Sequence, residues 1–359
     1  MSFRILVVNP GSTSTKLAVF EDSRSVVAET VSHEADVIAG YATLMEQLPM
    51  RLAIVKDFIA RQRFNLSEFS AIACRGGLLH PLASGTYSVN SAMVEELQNR
   101  PAGIHASNLA ACIGLALSDE SGIPSYVVDP VVVDELHPLA RLSGLKGVER
   151  VSIFHALNQK AVARQAARDL GAPYEELNLI VVHLGGGISV GAHEKGRVID
   201  VNNALNGDGP FAPERAGSLP SIGLVKLCFS GKYTQPEIMK LLAGKGGLVN
   251  HLGTNDGRTV EKMIADGDDY ARLVYSAMAY TVAKTVGEMA AVLKGHVDAV
   301  VLTGGLAHSR LLVDQITERV QFIAPVKVYP GEDEMKALAL GVLRVLDGTV
   351  RARSYPSGD

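Results

Sequence analysis

The sequence predicts an α/β protein, and three observations indicate this class. Short runs of β-branched and apolar residues alternate with longer stretches rich in Ala and Leu, which is the pattern of strands and helices in an α/β fold. Hydrophobic residues make up 47% of the chain and charged residues 20%, which is enough to bury a sizeable core. The length of 359 residues fits two domains of about 100–200 residues each.

The predicted strands and helices follow from this alternation, and Gly or Pro stands at most of the junctions. The predicted strands are Ile5–Val8, Lys16–Phe20, Ser70–Cys74, Tyr126–Val128, Leu179–Leu184, Ile188–Ala192, Ala299–Leu302 and Val326–Tyr329. The predicted helices are Ala106–Leu117, Ala156–Leu170, Asp269–Leu293 and Glu334–Leu346.

A similar plan opens the chain and returns near its middle. In Ile5–Phe20 a small polar turn separates two apolar runs, and in Ile180–His193 a Gly-rich turn does the same. Such similarity indicates a duplicated domain with a cleft between the two copies. Strand–turn–strand units are also common without duplication, so the pattern alone leaves both interpretations open.

Composition argues against two classes of partner. The net charge is −4, and nucleic-acid binding needs clustered Lys and Arg. The longest apolar runs are strand-sized, whereas a membrane-spanning helix needs about 20 residues. The N-terminus lacks the pattern of a signal peptide, and the scattered Cys74, Cys112 and Cys228 suit packed thiols in a reducing compartment. We therefore expect a cytoplasmic protein without nucleic-acid or membrane partners.

The segment Asn9–Lys16 carries hydroxyl, amide and ammonium groups in one tight turn. Such a turn can direct several donors at a phosphoryl group, although polar residues also populate ordinary hairpins. A Walker A motif is absent from the sequence, which argues against a P-loop enzyme. The Gly185–Gly187 turn leads into another apolar run rather than a helix, so a Rossmann fingerprint is a weak interpretation. Its small residues would instead let phosphates approach the backbone.

Two arginines stand in loops between regular elements. Arg75 follows a predicted strand and precedes two glycines, and Arg215 lies in the Gly- and Pro-rich stretch 207–217. A rigidly held guanidinium suits a carboxylate or a phosphoryl group, and a structural salt bridge is the alternative.

Other candidate residues also have structural alternatives. His183 ends a strand beside the glycine turn and His105 opens a helix, where either residue could be a hydrogen-bonded core histidine. Asp129 follows a strand, as catalytic carboxylates of α/β proteins do, or it serves a turn. Acidic residues at 332–334 precede the last helix, where they also favour the helix dipole.

The order of these segments resembles the acetate kinase family, and most closely its butyrate kinase branch. The resemblance rests on a collinear set of motifs that begin at Asn9, Arg75, His105, Asp129, Ser152, His183, Pro213, Leu302 and Pro330. It covers essentially the whole chain. Pro10, and Pro213-Glu214-Arg215 in place of Gly-Thr-Arg, are departures from acetate kinases that favour the butyrate kinase branch.

The resemblance implies duplicated ribonuclease-H-like domains of the actin-like ATPase fold, which flank a nucleotide cleft. We expect an N-terminal domain at 1–155, to which a C-terminal helix at 337–359 returns, and a nucleotide-binding domain at 156–336. A dimer or larger homo-oligomer is also implied. The sequence itself adds only the long apolar helix Asp269–Leu293 as a possible contact between subunits.

The resemblance also implies the roles of the site residues. The catalytic residues would be Asn9, Arg75, His105, Asp129, His183 and Arg215. Arg75 would hold the acceptor carboxylate, and Arg215 would stabilise the transition state. The ATP-binding residues would be Gly11, Ser12, Thr13, Ser14, Thr15, Lys16, Gly185, Gly186, Gly187, Gly304 and Gly305. Asp129 and Glu334 would position Mg²⁺, partly through water, although Glu332 and Asp333 are close alternatives to Glu334.

The implied reaction is reversible transfer of the γ-phosphoryl group of ATP to butyrate. A branched-chain, propionate or acetate kinase is the alternative within the family, because these acceptors differ by little more than a methylene. A sugar kinase would need an aspartate as base, for which Asp129 is the candidate. A more remote alternative is an actin- or chaperone-like ATP-binding module.

Overall fold

The computed structural model describes residues 2–206 and 208–355. Its strands are β1 (Arg4–Pro10), β2 (Ser14–Glu21), β3 (Arg24–Ser32), β4 (Ala71–Arg75), β5 (Thr86–Ser88), β6 (Ser125–Val128), β7 (Asn178–Leu184), β8 (Ile188–Glu194), β9 (Arg197–Val201), β10 (Ala299–Gly304), β11 (Val326–Pro330) and β12 (Arg353–Ser354). All the predicted strands are confirmed. Four further strands were not predicted: β3, β5, β9 and β12.

The α-helices are α1 (Ala35–Ala39), α2 (Leu48–Arg61), α3 (Ser91–Asn99), α4 (Asn108–Ser121), α5 (Pro138–Arg141), α6 (Ala156–Leu170), α7 (Ser221–Cys228), α8 (Gln235–Leu242), α9 (Gly247–Leu252), α10 (Gly257–Ala265), α11 (Asp269–Val292), α12 (Arg310–Val320) and α13 (Glu334–Leu346). All four predicted helices are confirmed, although α4 begins at Asn108 rather than Ala106. The segment predicted as a C-terminal helix at 337–359 is helical only to Leu346, and 356–359 lie outside the described residues.

The chain divides into two compact units. Unit 1 comprises Met1–Val133 and Asp333–Asp359, and unit 2 comprises Asp134–Glu332. This division falls earlier than the predicted boundary after residue 155. Two contacts of the intervening segment are the hydrogen bond from His137 N to Ile199 O and the ion pair between Glu135 and the buried Lys160.

Five neighbouring strands of the first sheet, β6-β4-β1-β2-β3, follow the same topology as the whole second sheet. The sheet of unit 1 has the order β12-β5-β6-β4-β1-β2-β3, and that of unit 2 has the order β11-β10-β7-β8-β9. In each, three consecutive strands pair antiparallel, and the first of them also pairs parallel with a later strand, β4 or β10. The structure thus confirms the duplicated α/β architecture.

The core of unit 2 covers both faces of its sheet. Along β7, Ile180 and Val182 pack with the long helix α11, whereas Leu179 and Val181 pack with α6 on the opposite face. Alternate side chains of a strand point to opposite faces, so a strand buried on both faces is continuously apolar. In unit 1 the corresponding apolar strands β1 and β4 contribute Leu6, Val8 and Ile72 to its core.

No helix within the described residues is long and apolar enough to cross a membrane.

Candidate active site

In unit 1 the structure brings three predicted site residues together at the ends of β1 and β4 and the start of α13. Arg75 Nη1 donates to Glu334 Oε1, and Asn9 Nδ2 donates to Glu334 Oε2 at 2.9 Å. Burial opposes ionisation of Glu334, but the Arg75 charge, the two hydrogen bonds and Lys16 outweigh it, so the pKa of this carboxyl is lowered. Glu334 is therefore held as an anion against Arg75.

His105 lies near this group and is held by Ser107. Its Nδ1 accepts from Ser107 N at 3.2 Å and contacts Ser107 Oγ at 2.9 Å. Since a backbone N–H can only donate, the neutral ring carries its proton on Nε2. Desolvation of the ring and then the Arg75 charge lower the pKa of His105, while Glu334 partly opposes them. The arrangement favours a neutral imidazole.

Asp129 lies at the end of β6 with a backbone φ of +35°, which is uncommon for a residue other than glycine. Its Oδ1 accepts from Ser84 Oγ at 2.6 Å and from Gly85 N at 2.8 Å. These two bonds orient the buried carboxylate.

Arg51, which was not identified from the sequence, forms hydrogen bonds to the turn between β1 and β2. This side chain of α2 is completely buried. Its Nη1 donates to Gly11 O and Ser14 O, both at 2.9 Å, and to Thr15 Oγ1 at 3.0 Å. The bonds to carbonyl oxygens hold the turn by its acceptors, so Arg51 supports the predicted phosphate turn without belonging to it.

In unit 2 the glycine turn Gly185–Gly187 joins the antiparallel strands β7 and β8, which agrees with the expectation that no helix follows it. A Cβ on Gly187 would lie 3.0 Å from Ala204 O. Buried His183, near the end of β7, contacts Asn158 Oδ1 through Nδ1 at 2.8 Å and Glu332 Oε2 through Nε2 at 3.4 Å.

Arg215 lies in a loop of unit 2, in the stretch 207–217, of which Gly207 lies outside the described residues. Arg215 Nη1 donates to Glu214 Oε2 at 3.2 Å, and Asn255 donates to the other carboxylate oxygen of Glu214 at 2.6 Å. Among the contacts of the described residues, the buried Arg215 Nε has no hydrogen-bond partner. This arginine is thus paired with a carboxylate of its own unit.

A cavity of about 630 Å³ adjoins the glycine turn. It is lined by Gly185, Gly186, Pro213, Asn255, Asp256, Gly257, Arg258, Glu261, Tyr275, Gly305, Leu306, His308, Ser309 and Glu332. Gly305 therefore faces open space. By contrast, Gly304 has φ +93° and packs so tightly that a Cβ would lie 2.4 Å from Leu184 O. The size suits a small-molecule ligand.

Four residues here were not identified as site residues from the sequence: Arg51, Glu214, Asn255 and Asp256. Asp256, the N-cap of α10, offered a local signal, because Asp is a preferred N-cap residue, but not one that indicates a ligand. Arg51 offered no signal, since an arginine on an amphipathic helix normally lies at the surface.

Solved structures with the same fold are acetate and propionate kinases. The chain matches acetate kinase from Porphyromonas gingivalis with a TM-score of 0.78 and 19% identity, over 96% of this chain and 100% of that one. It matches a propionate kinase from Francisella tularensis subsp. tularensis SCHU S4 with a TM-score of 0.75 and 21% identity, over 94% and 98% of the two chains. Acetate kinase from Entamoeba histolytica matches with a TM-score of 0.74 and 17% identity, also over 94% and 98%. At these identities the likenesses show the fold, which is that of the actin-like ATPases.

A sequence-family model assigns the chain more specifically. The model of the acetokinase family matches residues 141–328, which is just over half of the chain. The chain therefore belongs to the acetokinase family of carboxylate-accepting kinases.

Proposed function

We propose that the protein transfers the γ-phosphoryl group of ATP directly to the carboxylate of butyrate, giving butyryl phosphate and ADP in a reversible reaction. The observation that carries this proposal is the contact of Arg75 with the carboxylate of Glu334 beside Asn9. The Arg75 guanidinium thus contacts a carboxylate through Nη1, and its planar fork suits a substrate carboxylate. This supports the proposal because the acetokinase family uses carboxylate acceptors.

The chemistry of the acceptor explains why the proposed site is cationic. A carboxylic acid with a pKa of about 4–5 is ionised at neutral pH, so it needs no general base. The obstacle is that two anions must meet and negative charge must be held during transfer. In our proposal Arg75 holds the acceptor, Arg215 stabilises the transferred group, and His183 and His105 support its oxygens. Because Asp129 already accepts two hydrogen bonds, we assign it an orienting role rather than that of a base.

We propose that ATP, the co-substrate expected for this family, lies in the 630 Å³ cavity of unit 2. Gly185, Gly186 and Gly305 line this cavity without side chains, so phosphates and ribose can approach the backbone there. Gly187 and Gly304 would act by shaping the same loops. The turn from Gly11 to Lys16 offers hydroxyl and N–H donors to the phosphoryl group.

Magnesium is the metal that we propose for the reaction. Asp129 and Glu334 offer hard carboxylate oxygens, which Mg²⁺ prefers, and Mg²⁺ usually keeps several waters. Both oxygens of Glu334 accept hydrogen bonds from protein groups, which suits contact through water. Within the described residues no group of three or more His, Cys, Asp or Glu could hold a metal ion. Our proposal therefore uses one or two carboxylates together with water and the phosphates. Bound there, the ion would neutralise charge on the phosphates.

Trapping the product with hydroxylamine tests the proposal. The protein is incubated with ATP and Mg²⁺ and with acetate, propionate, butyrate, isobutyrate, valerate or glycerol in turn. We expect hydroxamate from the acids, formed best from butyrate. Faster reaction with another acid would assign the acceptor to that acid within the family. ADP release with glycerol alone, and no hydroxamate, would contradict an acyl kinase.

Assembly and location stay predictions. We expect a homo-oligomer in the cytoplasm. Ten of the 24 residues of α11, the helix considered as a contact, are buried within unit 2, but the helix also exposes Tyr270, Leu273 and Tyr280, and α7 exposes Ile222 and Val225. Light scattering on the purified protein measures the number of subunits, and a monomer at working concentration would contradict the expectation.

A further inference from the structure

A buried chain of hydrogen bonds in unit 2 runs from Tyr174 to His155. Tyr174 Oη lies 2.7 Å from His193 Nδ1, and His193 Nε2 lies 2.9 Å from Gln159 Oε1. Gln159 Nε2 lies 2.8 Å from Ser189 Oγ, which lies 2.9 Å from His155 Nδ1. Gln159, Ser189 and His193 are completely buried, so water does not compete for these bonds.

One contact fixes the direction of the first half of this chain. Gln159 Nε2 lies 3.1 Å from the backbone oxygen of Ser189, which can only accept. The amide nitrogen of Gln159 therefore faces Ser189, and its oxygen faces His193, so His193 Nε2 carries a proton. Burial, and then the charges of Lys160 and Arg164, lower the pKa of His193 well below its ordinary value. The neutral ring accepts from the Tyr174 hydroxyl at Nδ1.

The direction of the second half of the hydrogen-bond chain, from Ser189 to His155, follows from the single proton of the Ser189 hydroxyl. This oxygen accepts from Gln159, so its own proton remains to be donated. Of the contacts described for this hydroxyl, His155 Nδ1 is the one that can accept. His155 Nδ1 is therefore without a proton, and the neutral ring carries its proton on Nε2.

His155 stands beside two parts of the proposed site. Its ring stacks on that of His183, with centroids 3.7 Å apart and planes inclined by 11°. A Cβ on Gly187 would lie 3.9 Å from His155 Cε1. The nitrogen of His155 that carries a proton therefore decides whether the ring has a donor or an acceptor at Nε2 beside the glycine turn.

We propose that Gln159 is a positioning residue, which acts through Ser189 to hold His155 as a neutral imidazole with its proton on Nε2. A neutral imidazole in a fixed tautomer offers a hydrogen-bond donor that needs no reorientation when a phosphoryl oxygen arrives. The use of this donor rests on the proposed function. The tautomer itself does not.

The matched variants are Gln159→Glu and Gln165→Glu. Both residues belong to α6, but the side-chain hydrogen bonds described for Gln165 are with Arg168 and Asp169, near the surface. A carboxylate at 159 cannot donate to Ser189, so the serine hydroxyl turns to the carboxylate and His155 Nδ1 gains a proton. Ser189→Ala removes the hydroxyl without adding a buried charge. This variant tests the tautomer if Gln159→Glu does not fold.

Ring nitrogen NMR of histidine-labelled protein tests the tautomer. The His155 signals are assigned by their loss in His155→Gln. We expect a neutral ring protonated at Nε2 in the wild type and in Gln165→Glu, and protonation at Nδ1 in Gln159→Glu. Ser189→Ala should give a mixture of tautomers. Protonation at Nδ1 in the wild type, or wild-type signals in the folded Gln159→Glu or Ser189→Ala protein, would overturn the proposal.

Kinetics give the second readout. We expect Gln159→Glu to lower kcat about 10- to 100-fold, as loss of a supporting partner does at other sites, with little change in KM for butyrate. An unchanged kcat in Gln159→Glu would overturn the positioning role. If the wild type forms no hydroxamate with any acid, the proposed function fails, whereas the NMR result still decides the tautomer.

Discussion

Arg75 and Arg215 are each paired with a carboxylate of their own unit, Glu334 and Glu214. Without an anionic ligand, a partly buried guanidinium needs such a partner because an unpaired buried charge is costly. In our proposal, the same pairing means that a substrate anion exchanges one carboxylate for another instead of meeting an unpaired charge. The site can therefore rest in an ionised, ordered state.

The first prediction at this scale concerns the arginines themselves. Removal of one donor to a developing charge costs about 10²–10³ in kcat at comparable sites, and we expect this loss in Arg75→Ala and in Arg215→Ala. Lysine keeps the charge but lacks the planar fork, so Arg75→Lys should recover only part of the rate. Arg319→Ala, on the exposed side of α12, is the control. Full activity in either folded alanine variant would remove that arginine from the mechanism.

The second prediction concerns Glu334 and pH. Its pKa in the folded protein lies below the ordinary value of 4.5, so its ionised form stabilises the fold above the pKa of the unfolded chain. This stabilisation is lost as pH falls through the folded pKa. The free energy of unfolding of the wild type should thus fall more steeply than that of Glu334→Gln below about pH 4.5. The free energy of unfolding is measured by urea denaturation at several pH values. The same pH dependence in both proteins would contradict this prediction.

At the scale of elements, the turn between β1 and β2 depends on a helix that is distant in sequence. Arg51 of α2 bonds the carbonyl oxygens of the turn, and His33 N donates to Thr13 O at 2.8 Å. Both sets of bonds take up acceptors of the turn. Gly11 N is itself bonded to Ser14 O at 2.7 Å, and Thr15 Oγ1 contacts His33 Nε2 at 2.9 Å. The other hydroxyl and N–H donors of the turn are therefore the groups suited to an anion.

Replacement of Arg51 tests this arrangement. Arg51→Met keeps the buried volume but leaves buried acceptors without a partner, so it should destabilise the protein by about 3 kcal/mol and raise KM for ATP. Arg61→Met on the same helix breaks only exposed ion pairs and should cost less than about 1 kcal/mol. The comparison uses chemical denaturation and initial rates. Equal effects of the two substitutions would show that Arg51 does not organise the turn.

Two neighbouring glycines at the end of β10 give a second test at this scale. Gly304→Ala places a Cβ 2.4 Å from Leu184 O at φ +93°, and we expect a loss of about 2–4 kcal/mol in the free energy of unfolding. Gly305→Ala meets no atom within 4 Å and should leave stability nearly unchanged. If both variants unfold at the same denaturant concentration as the wild type, the close packing of β10 on β7 is wrong.

How much of this could be predicted from the sequence differs between elements. The buried strands β1, β4, β7 and β10 were predicted because continuous apolar runs bounded by Gly and Pro carry a local signal. The edge strand β3 was missed because its side chains are exposed or only partly buried and its composition is mixed. The edge strand β9 is short and mostly buried, and Arg197 and Asp200 interrupt its apolar run. Arg51 and the chain from Tyr174 to His155 depend on contacts between distant segments, so no local pattern indicates them.

At the scale of the whole molecule, one topology occurs twice and carries different side chains in each copy. The turn of unit 1 is rich in hydroxyl groups and the turn of unit 2 in glycine. Unit 1 holds the carboxylate-binding arginine of our proposal, and unit 2 holds the cavity proposed for ATP. This division of residues between the units was open to prediction from sequence through the family resemblance. The acyl chain that the protein prefers was not, because a methylene alters binding in an apolar pocket by only about 1–3 kcal/mol.

The central claim is that a carboxylate accepts the phosphoryl group, and ³¹P NMR of the reaction tests it most directly. Protein, ATP, Mg²⁺ and butyrate are mixed, and the spectrum is followed before and after hydroxylamine is added. We predict an acyl phosphate resonance that grows with that of ADP and disappears with hydroxylamine. A phosphate ester that resists hydroxylamine, or inorganic phosphate as the first product, would contradict the account.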